Sequence, residues 1–188
     1  GVKVQLGTEA TADSIAALNP DKVIVAVGSI PSTPPLPGVD NTVGVWNVLD
    51  GSVTAPKGKD VVIIGGGNVG CEAALYLLEL GNKLTIIEMM PTLSAGQEAT
   101  HRMRDLAILK EKGTNMQVCA SVTSIEKDCV NYTDSEGVSQ CAHADLAILA
   151  TGQRPAGSAL QSALAKKGIN AVCCGDAMEQ GNIRTNIA

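Results

Sequence analysis

The feature that most constrains the fold is the segment VVIIGGGNVGCE, in which an apolar run passes through glycines into a helix-compatible stretch. Gly65, Gly67 and Gly70 have the spacing G-x-G-x-x-G, which in this context predicts a strand, a tight turn and the start of a helix. We expect that helix over residues 68–80 and a second strand over residues 84–88. Parallel strands need such a crossover, so the segment predicts one βαβ unit of a parallel α/β sheet.

Each glycine of this turn has a separate expected role. Gly65 allows the tight turn, Gly67 lets a ligand approach the backbone, and Gly70 lets the helix pack closely on the strand. The unpaired N–H groups of the first helical turn, backed by the helix dipole, favour a phosphate group. We therefore predict that a dinucleotide pyrophosphate binds along Gly65, Gly66, Gly67, Asn68, Val69 and Gly70. The alternative is a glycine-rich turn needed only for packing.

An acid stands at the end of the second predicted strand. Glu88 lies 18 residues beyond Gly70, where this fold places the carboxylate that accepts hydrogen bonds from the adenosine ribose. Such bonds are worth roughly 1.5–3 kcal/mol, which predicts about a ten- to hundredfold preference for NAD(H) over NADP(H). We include the neighbouring Met89 in the predicted site. The alternative for Glu88 is a polar strand end without a ligand.

Glu72, early in the predicted helix, has two explanations. A carboxylate there is favoured by the helix dipole alone. If Glu72 has a role in binding, its charge must point away from the pyrophosphate, toward the nicotinamide end or a domain interface. We assign no catalytic side chain and no metal ligand, and we expect the six cysteines, which lack a C-x-x-C spacing, to be buried or idle thiols.

Composition excludes several classes of function. With a net charge of −5 there is no basic face for a nucleic-acid backbone. No apolar stretch has the roughly 18 residues of a membrane helix, and the N-terminal residues do not resemble a signal peptide, so we expect a cytoplasmic protein. Hydrophobic residues make up 45 % of the chain, which is enough for a sizeable core.

The rest of the chain predicts further elements and one internal repeat. The segments DKVIVAVGSIP and DLAILATGQRP share their spacing of Asp, Gly and Pro, so two similar strands should end in similar turns at Gly28 and Gly152, which we include among the predicted cofactor-binding residues. Five of the eight prolines fall in residues 31–56, which predicts an extended crossover without a helix. Strands are expected at residues 2–6, 23–27, 145–150 and 171–174, helices near 13–18, 98–112 and 158–167, and an antiparallel meander at 116–125, 129–133 and 138–141.

The segments GGGNVGCE, IIEMMP, AILATGQRP and CCGDA together resemble the flavoprotein reductases that have two dinucleotide-binding domains. The stretches VIVAVGSIPSTPPLPGVDN and WNVLDG are most similar to the C-terminal half of enoate and 2,4-dienoyl-CoA reductases, and trimethylamine dehydrogenase is also similar. These enzymes belong to the wider group related to pyridine-nucleotide-disulfide oxidoreductases. The resemblance covers nearly the whole chain.

The resemblance implies a Rossmann-like NAD domain inserted into an FAD domain. We accordingly expect a partial FAD-binding segment at residues 1–55, the NAD-binding domain at 56–151 and a returning FAD segment at 152–188. Asp176 matches the family's acid on the ribityl chain of FAD, although a turn Asp is the alternative. FMN, an iron–sulfur cluster and the first FAD motif are expected only in remaining domains of a longer parent polypeptide.

These expectations leave three functions open. In the first, the parent passes hydride from NADH to FAD and on to an unsaturated substrate, while this chain binds NAD(H) and is inactive by itself. In the second, the parent is an NADH oxidase or a disulfide-reductase relative. In the third, the chain is a free-standing NAD-binding module without catalysis.

Overall fold

A computed structural model describes residues 1–181 of the chain. In chain order, the helices are α1 (Ala12–Ala17), α2 (Val45–Leu49), α3 (Asn68–Glu79), α4 (Ala99–Glu111) and α5 (Gly157–Ala165). The strands are β1 (Val23–Val25), β2 (Ser29–Pro31), β3 (Thr42–Gly44), β4 (Asp60–Ile64), β5 (Lys83–Ile87), β6 (Asn115–Gln117), β7 (Ser121–Ile125), β8 (Cys129–Thr133), β9 (Ser139–His143), β10 (Leu146–Leu149), β11 (Gln153–Pro155) and β12 (Ala171–Cys173). The fold is α/β, as the sequence predicts.

The chain divides into two compact units. The first comprises residues 1–30 and, of the described residues, those from Gln153 onward, and the second comprises residues 31–152. The range 56–151, which we predict to be an NAD-binding domain, lies within the second unit. The division points follow Gly28 and Gly152, which both have positive φ, +71° and +83°.

The second unit is built on a five-stranded parallel sheet in the order β3-β10-β4-β5-β6. The central strand β4 is buried from Val61 to Ile64 because it is covered on both faces. One face packs against helices α2, α3 and α4, with Leu77 and Leu109 fully buried. The other face packs against the antiparallel sheet β7-β8-β9. The predicted meander is thus present.

The first unit is smaller. Its parallel pair β1–β12 packs against α5 around Val25, Leu164 and Cys173. Strands β2 and β11, which follow the two repeated glycines Gly28 and Gly152 and end at the two repeated prolines, pair with each other. Helix α1 begins with a capping box, in which Thr11 and Ser14 exchange hydrogen bonds between side chain and backbone.

Four predictions about local structure were wrong. Residues 2–6 form no strand and are exposed, because an apolar alternation needs a partner strand to be buried against. Residues 31–55 contain strand β3 and helix α2, although the prolines predicted an extended crossover. The expected strand 116–125 is split into β6 and β7 at Cys119, whose φ is +51°. The strand predicted at 23–27 ends at Val25, and its Ile24 is 70 % exposed.

Among residues 1–181, no helix combines the length and the apolar character needed to cross a membrane.

Candidate nucleotide-binding site

The glycine turn between β4 and α3 is tight at Gly65, Gly66 and Gly70 and open at Gly67. Gly65 has φ +105°, and a Cβ there would lie 2.4 Å from the Ala150 carbonyl oxygen. A Cβ on Gly70 would lie 2.1 Å from the Gly65 carbonyl oxygen. A Cβ on Gly67, by contrast, would meet no atom within 4 Å. A Cβ on Gly66 would lie 2.1 Å from Leu93 Cδ2. Backbone atoms therefore exclude a Cβ at Gly65 and Gly70 and a side chain opposes one at Gly66, while Gly67 leaves open space beside the backbone.

The open space at Gly67 lies at the amino end of α3. Gly67 is the N-cap residue, and no side chain caps the helix. The first helical hydrogen bond of α3 is the one from the Cys71 N–H to the Gly67 carbonyl oxygen. The N–H groups of Asn68, Val69 and Gly70 precede that bond, so they and the positive end of the dipole are available to an anion.

The same turn lies where the strand order reverses. From β4 the chain crosses through α3 to β5 on one side, while β10 pairs with β4 on the other. In open α/β sheets, ligands bind beyond the carboxyl ends of the strands at such a switch point. The turn at Gly65 therefore stands at the position of the sheet that most favours a nucleotide.

Glu88 follows β5 and reaches the glycine turn. Its Oε2 accepts a hydrogen bond from the Gly66 N–H at 2.6 Å, and its Oε1 accepts one from the Met90 N–H at 2.7 Å. The two bonds fix the carboxylate against the backbone of both segments. The structure therefore brings Glu88 together with Gly65–Gly70, as the sequence analysis expected.

The Gly66 peptide is held from its other side as well. Its carbonyl oxygen accepts hydrogen bonds from the Ser94 N–H at 2.8 Å and from the Cys71 thiol at 3.5 Å. Burial raises the pKa of the Cys71 thiol, and the nearby Glu88 charge raises it further. The roles of Ser94 and Cys71 at this turn were not predicted from the sequence, because their contacts with Gly66 depend on the path of the loop after β5.

The other predicted residues of this unit lie around the turn in different environments. Asn68 and Val69 are half-buried in the first turn of α3, and Met89 is 72 % exposed beside Glu88. Glu72 is exposed and lies beyond the first turn of the helix. Gly152 follows β10, and a Cβ on it would meet no atom within 4 Å.

Two predicted residues belong to the first unit. Gly28 follows β1, and its carbonyl oxygen accepts a hydrogen bond from the Ala156 N–H at 3.1 Å. Asp176 lies in a short 3-10 turn, Gly175–Ala177, and its Oδ1 accepts from the Gly181 N–H at 3.1 Å. Both residues lie outside the unit that carries Gly65 and Glu88.

Two of the six cysteines depart from the expectation of buried or idle thiols. Cys129 on β8 and Cys141 on β9 form a disulfide across the meander. Cys119 and Cys174 are exposed thiols, whereas Cys71 and Cys173 are buried. The disulfide was missed because the two cysteines are twelve positions apart in the sequence, and only the pairing of β8 with β9 brings them together.

The parallel sheet, its glycine turn at the switch point and the acid after β5 define a nucleotide-binding unit of the Rossmann type. A family model described as pyridine nucleotide-disulphide oxidoreductase matches residues 2–181, and the chain belongs to this family. The members of this family are NAD(P)-dependent flavoprotein oxidoreductases. The match therefore agrees with the resemblance to flavoprotein reductases that the sequence motifs indicated.

Named relatives agree with this assignment. An NADH oxidase of Thermoanaerobacter brockii is 40 % identical over 187 residues, which are 97 % of this chain and 29 % of the relative. A cinnamate reductase of Clostridium sporogenes is 33 % identical over 154 residues, covering 81 % of this chain and 23 % of the relative. A solved structure of 2-naphthoyl-CoA reductase with 2-naphthoyl-CoA matches with a TM-score of 0.83 and 26 % identity, over 96 % of this chain and 27 % of that one. The chain spans less than a third of each.

Proposed function

We propose that this chain is the NAD(H)-binding part of a flavin-dependent oxidoreductase in which hydride passes from NADH to FAD and on to an unsaturated, enoate-like or enoyl-CoA-like substrate. The observation that carries the first part of the proposal is the position of Glu88, which is bonded to Gly66 at the start of an open, uncapped helix end.

After its two backbone hydrogen bonds, the Glu88 carboxylate still has enough acceptor positions to bind a ribose. An ionised carboxylate offers about four acceptor positions. The backbone N–H groups of Gly66 and Met90 use two of them and fix the orientation of the group. Two positions are left, which matches the two hydroxyl donors of an adenosine ribose that carries no 2′-phosphate. A phosphate on that ribose would replace one donor with negative charge, so Glu88 favours NAD(H) over NADP(H).

The glycine turn supplies the complementary phosphate site. Gly67 has no side chain to occupy the space beside the backbone, and the helix end behind it carries partial positive charge. The N–H groups of Asn68, Val69 and Gly70 are the proposed donors to the pyrophosphate. Nicotinamide, when bound, supplies the hydride, and the residues of this chain bind and orient the dinucleotide.

The substrate class rests on the relatives and not on any side chain described above. Cinnamate has a carbon–carbon double bond conjugated to its carboxylate, and 2-naphthoyl-CoA is an unsaturated acyl thioester; both names belong to relatives of this chain. We propose that the parent enzyme belongs to the enoate and dienoyl-CoA reductase branch. FAD would contact Asp176 and the turn at Gly28 in the first unit, while FMN, an iron–sulfur cluster and the reacting substrate would bind to domains beyond this chain.

Titration calorimetry with NADH and NADPH tests the nucleotide proposal, after the visible spectrum of the purified chain has been checked for flavin. We expect NADH to bind at least tenfold more tightly than NADPH, and Glu88→Ala to remove most of that preference. Glu79→Gln, an exposed change at the far end of α3, is the matched control and should bind like the unmodified chain. Equal affinities for NADH and NADPH in the unmodified chain would contradict the role given to Glu88.

The enzymatic part needs the longer parent protein. Consumption of NADH with an α,β-unsaturated carboxylate or acyl thioester as acceptor supports the proposed branch. Consumption of NADH with dioxygen or a disulfide alone indicates the oxidase or disulfide-reductase alternative. NADH binding without turnover by any native form of the protein indicates a free-standing binding module.

A further inference from the structure

Three side chains with metal-binding atoms converge at the amino edge of the parallel sheet in the second unit. Asp60 begins β4, His143 ends β9, and Asp145 precedes β10. Their candidate ligand atoms all lie within 4.8 Å of one another. This edge is opposite the carboxyl edge that carries Gly65 and Glu88. We propose that these three residues bind a divalent transition-metal ion of the Zn²⁺ type, independently of the nucleotide.

The imidazole of His143 is already oriented for such a role. Its Nδ1 lies 2.9 Å from the backbone carbonyl oxygen of Asp128. A carbonyl oxygen can only accept, so Nδ1 must carry the proton, and in the neutral ring Nε2 keeps its lone pair. A backbone carbonyl that holds one ring nitrogen is the usual support of a metal-bound histidine. The contact with Asp128 therefore prepares Nε2 as a ligand.

The carboxylate of Asp60 has no compensating partner among the described residues. In the part of the chain that the structure describes, this half-buried carboxylate accepts no hydrogen bond and makes no ion pair, although it lies beside the carboxylate of Asp145. Lys59 is paired with the other carboxylate: its Nζ is 3.7 Å from Asp145 Oδ1, beyond hydrogen-bond distance, and its side chain is 54 % exposed. Two close carboxylates with little compensation favour a bound cation.

The backbone around the cluster is fixed by reciprocal hydrogen bonds. The Asp60 N–H donates to Asp145 Oδ2 at 3.1 Å, and the Asp145 N–H donates to the Asp60 carbonyl oxygen at 2.8 Å. A cavity of about 260 Å³, lined by Asp60 and His143 among others, gives an ion access to the cluster and leaves room for water ligands. Lys83 and Lys112 line the same cavity, so we expect weaker binding than at a closed, four-ligand zinc site.

The ligand types indicate the class of metal. One imidazole nitrogen and two carboxylate oxygens suit Zn²⁺, Co²⁺ or Mn²⁺ better than Ca²⁺ or Mg²⁺, which prefer oxygen ligands alone. An ion held by Asp60, His143 and Asp145 would connect β4 with the end of β9 and the start of β10. It would therefore stabilise the contact between the meander and the parallel sheet.

The test is titration of the purified full chain with Zn²⁺ by calorimetry and with Co²⁺ by absorption spectroscopy, in the absence of nucleotide. We expect one equivalent to bind, and His143→Ala and the nearly isosteric Asp60→Asn each to weaken binding at least tenfold. His101→Ala is the matched control because His101 is the other histidine of the chain and is exposed on α4. Lys59→Ala should tighten binding, because it removes a competing cation from Asp145.

Three outcomes overturn the proposal. The first is the absence of Zn²⁺ and Co²⁺ binding by the unmodified chain. The second is unchanged binding by Asp60→Asn, which also covers the case in which His143→Ala does not fold. The third is a near-ultraviolet charge-transfer band of bound Co²⁺, which would mean that exposed thiols such as Cys119 or Cys174 hold the ion. A rise in the melting temperature with Zn²⁺ that Asp60→Asn abolishes would support the proposed site.

Discussion

The carboxylate of Glu88 and the N–H of Gly66 are joined by a hydrogen bond of 2.6 Å, so the acid that we assign to the ribose is also part of the glycine turn. This contact couples the two halves of the proposed nucleotide site. A change in the acid should therefore disturb the turn as well as remove a ribose acceptor. Among the described residues the Glu88 carboxylate makes no ion pair, so its orientation comes from the backbone N–H groups of Gly66 and Met90.

Glu88→Gln separates charge from shape at this position. A glutamine keeps the size of the side chain, but its amide nitrogen cannot accept from either Gly66 or Met90. We expect NADH affinity to fall about ten- to hundredfold, because one charge-assisted acceptor is worth roughly 1.5–3 kcal/mol. NADPH affinity should change less, because the repulsion of a 2′-phosphate is lost at the same time. Calorimetry on both nucleotides measures the difference, and an equal loss for both would argue against discrimination by charge.

Gly67 and Gly70 should respond differently to an added methyl group. Gly67→Ala places Cβ in open space at a φ of −66°, so it introduces no clash, and the loss of an N-cap glycine should lower the melting temperature by only about 2–4 °C. NADH affinity should fall at least tenfold, because the methyl group occupies the approach of the phosphates. Calorimetry and thermal unfolding of the same sample check both statements. A Gly67→Ala chain that binds NADH normally would contradict the phosphate site.

Gly70→Ala is the counterpart. Its Cβ would lie 2.1 Å from the Gly65 carbonyl oxygen, so the turn and α3 must move apart. We expect the free energy of unfolding to fall by about 1–3 kcal/mol, which is typical of overpacking. Denaturant unfolding followed by circular dichroism measures the change. Unaltered stability would mean that α3 does not pack as closely on the turn as the structure has it.

The sequence predicted those features that depend on neighbouring residues. The strand–turn–helix unit around Gly65 follows from local apolar runs and glycine stops, and the helices near 98–112 and 158–167 follow in the same way. Long-range pairing was not predictable. Residues 31–55 looked like a linker because of their prolines, yet β3 gains hydrogen-bond partners on β10 that lie about a hundred positions later. The disulfide and the Asp60–His143–Asp145 cluster depend on strand register in the same way.

The Cys71 thiol makes a pH-dependent contribution to stability. Burial raises its pKa in the folded chain, whereas the unfolded chain has an ordinary thiol pKa near 8.5. The stabilisation is therefore fully present below that value and is lost as the pH rises through the higher folded pKa. We expect the unmodified chain to lose stability between pH 8 and 10 more steeply than Cys71→Ala, measured by denaturant unfolding at each pH. Parallel curves for the two chains would contradict this contribution.

The disulfide between Cys129 and Cys141 should stabilise the antiparallel meander, which packs against one face of the parallel sheet. The cysteines are twelve positions apart, and closing a loop of about that length is worth roughly 3 kcal/mol in the chain-entropy model. Reduction with a phosphine should therefore lower the melting temperature, and the double change Cys129→Ser with Cys141→Ser should lower it equally and abolish the effect of the reductant. Cys119→Ser, which changes an exposed free thiol, should leave that effect intact.

Counting alkylated cysteines in the denatured chain by mass spectrometry gives an independent check, with four expected before reduction and six after. Six alkylated cysteines without reductant would show that the two residues face each other as thiols, and the double variant should then cost far less stability.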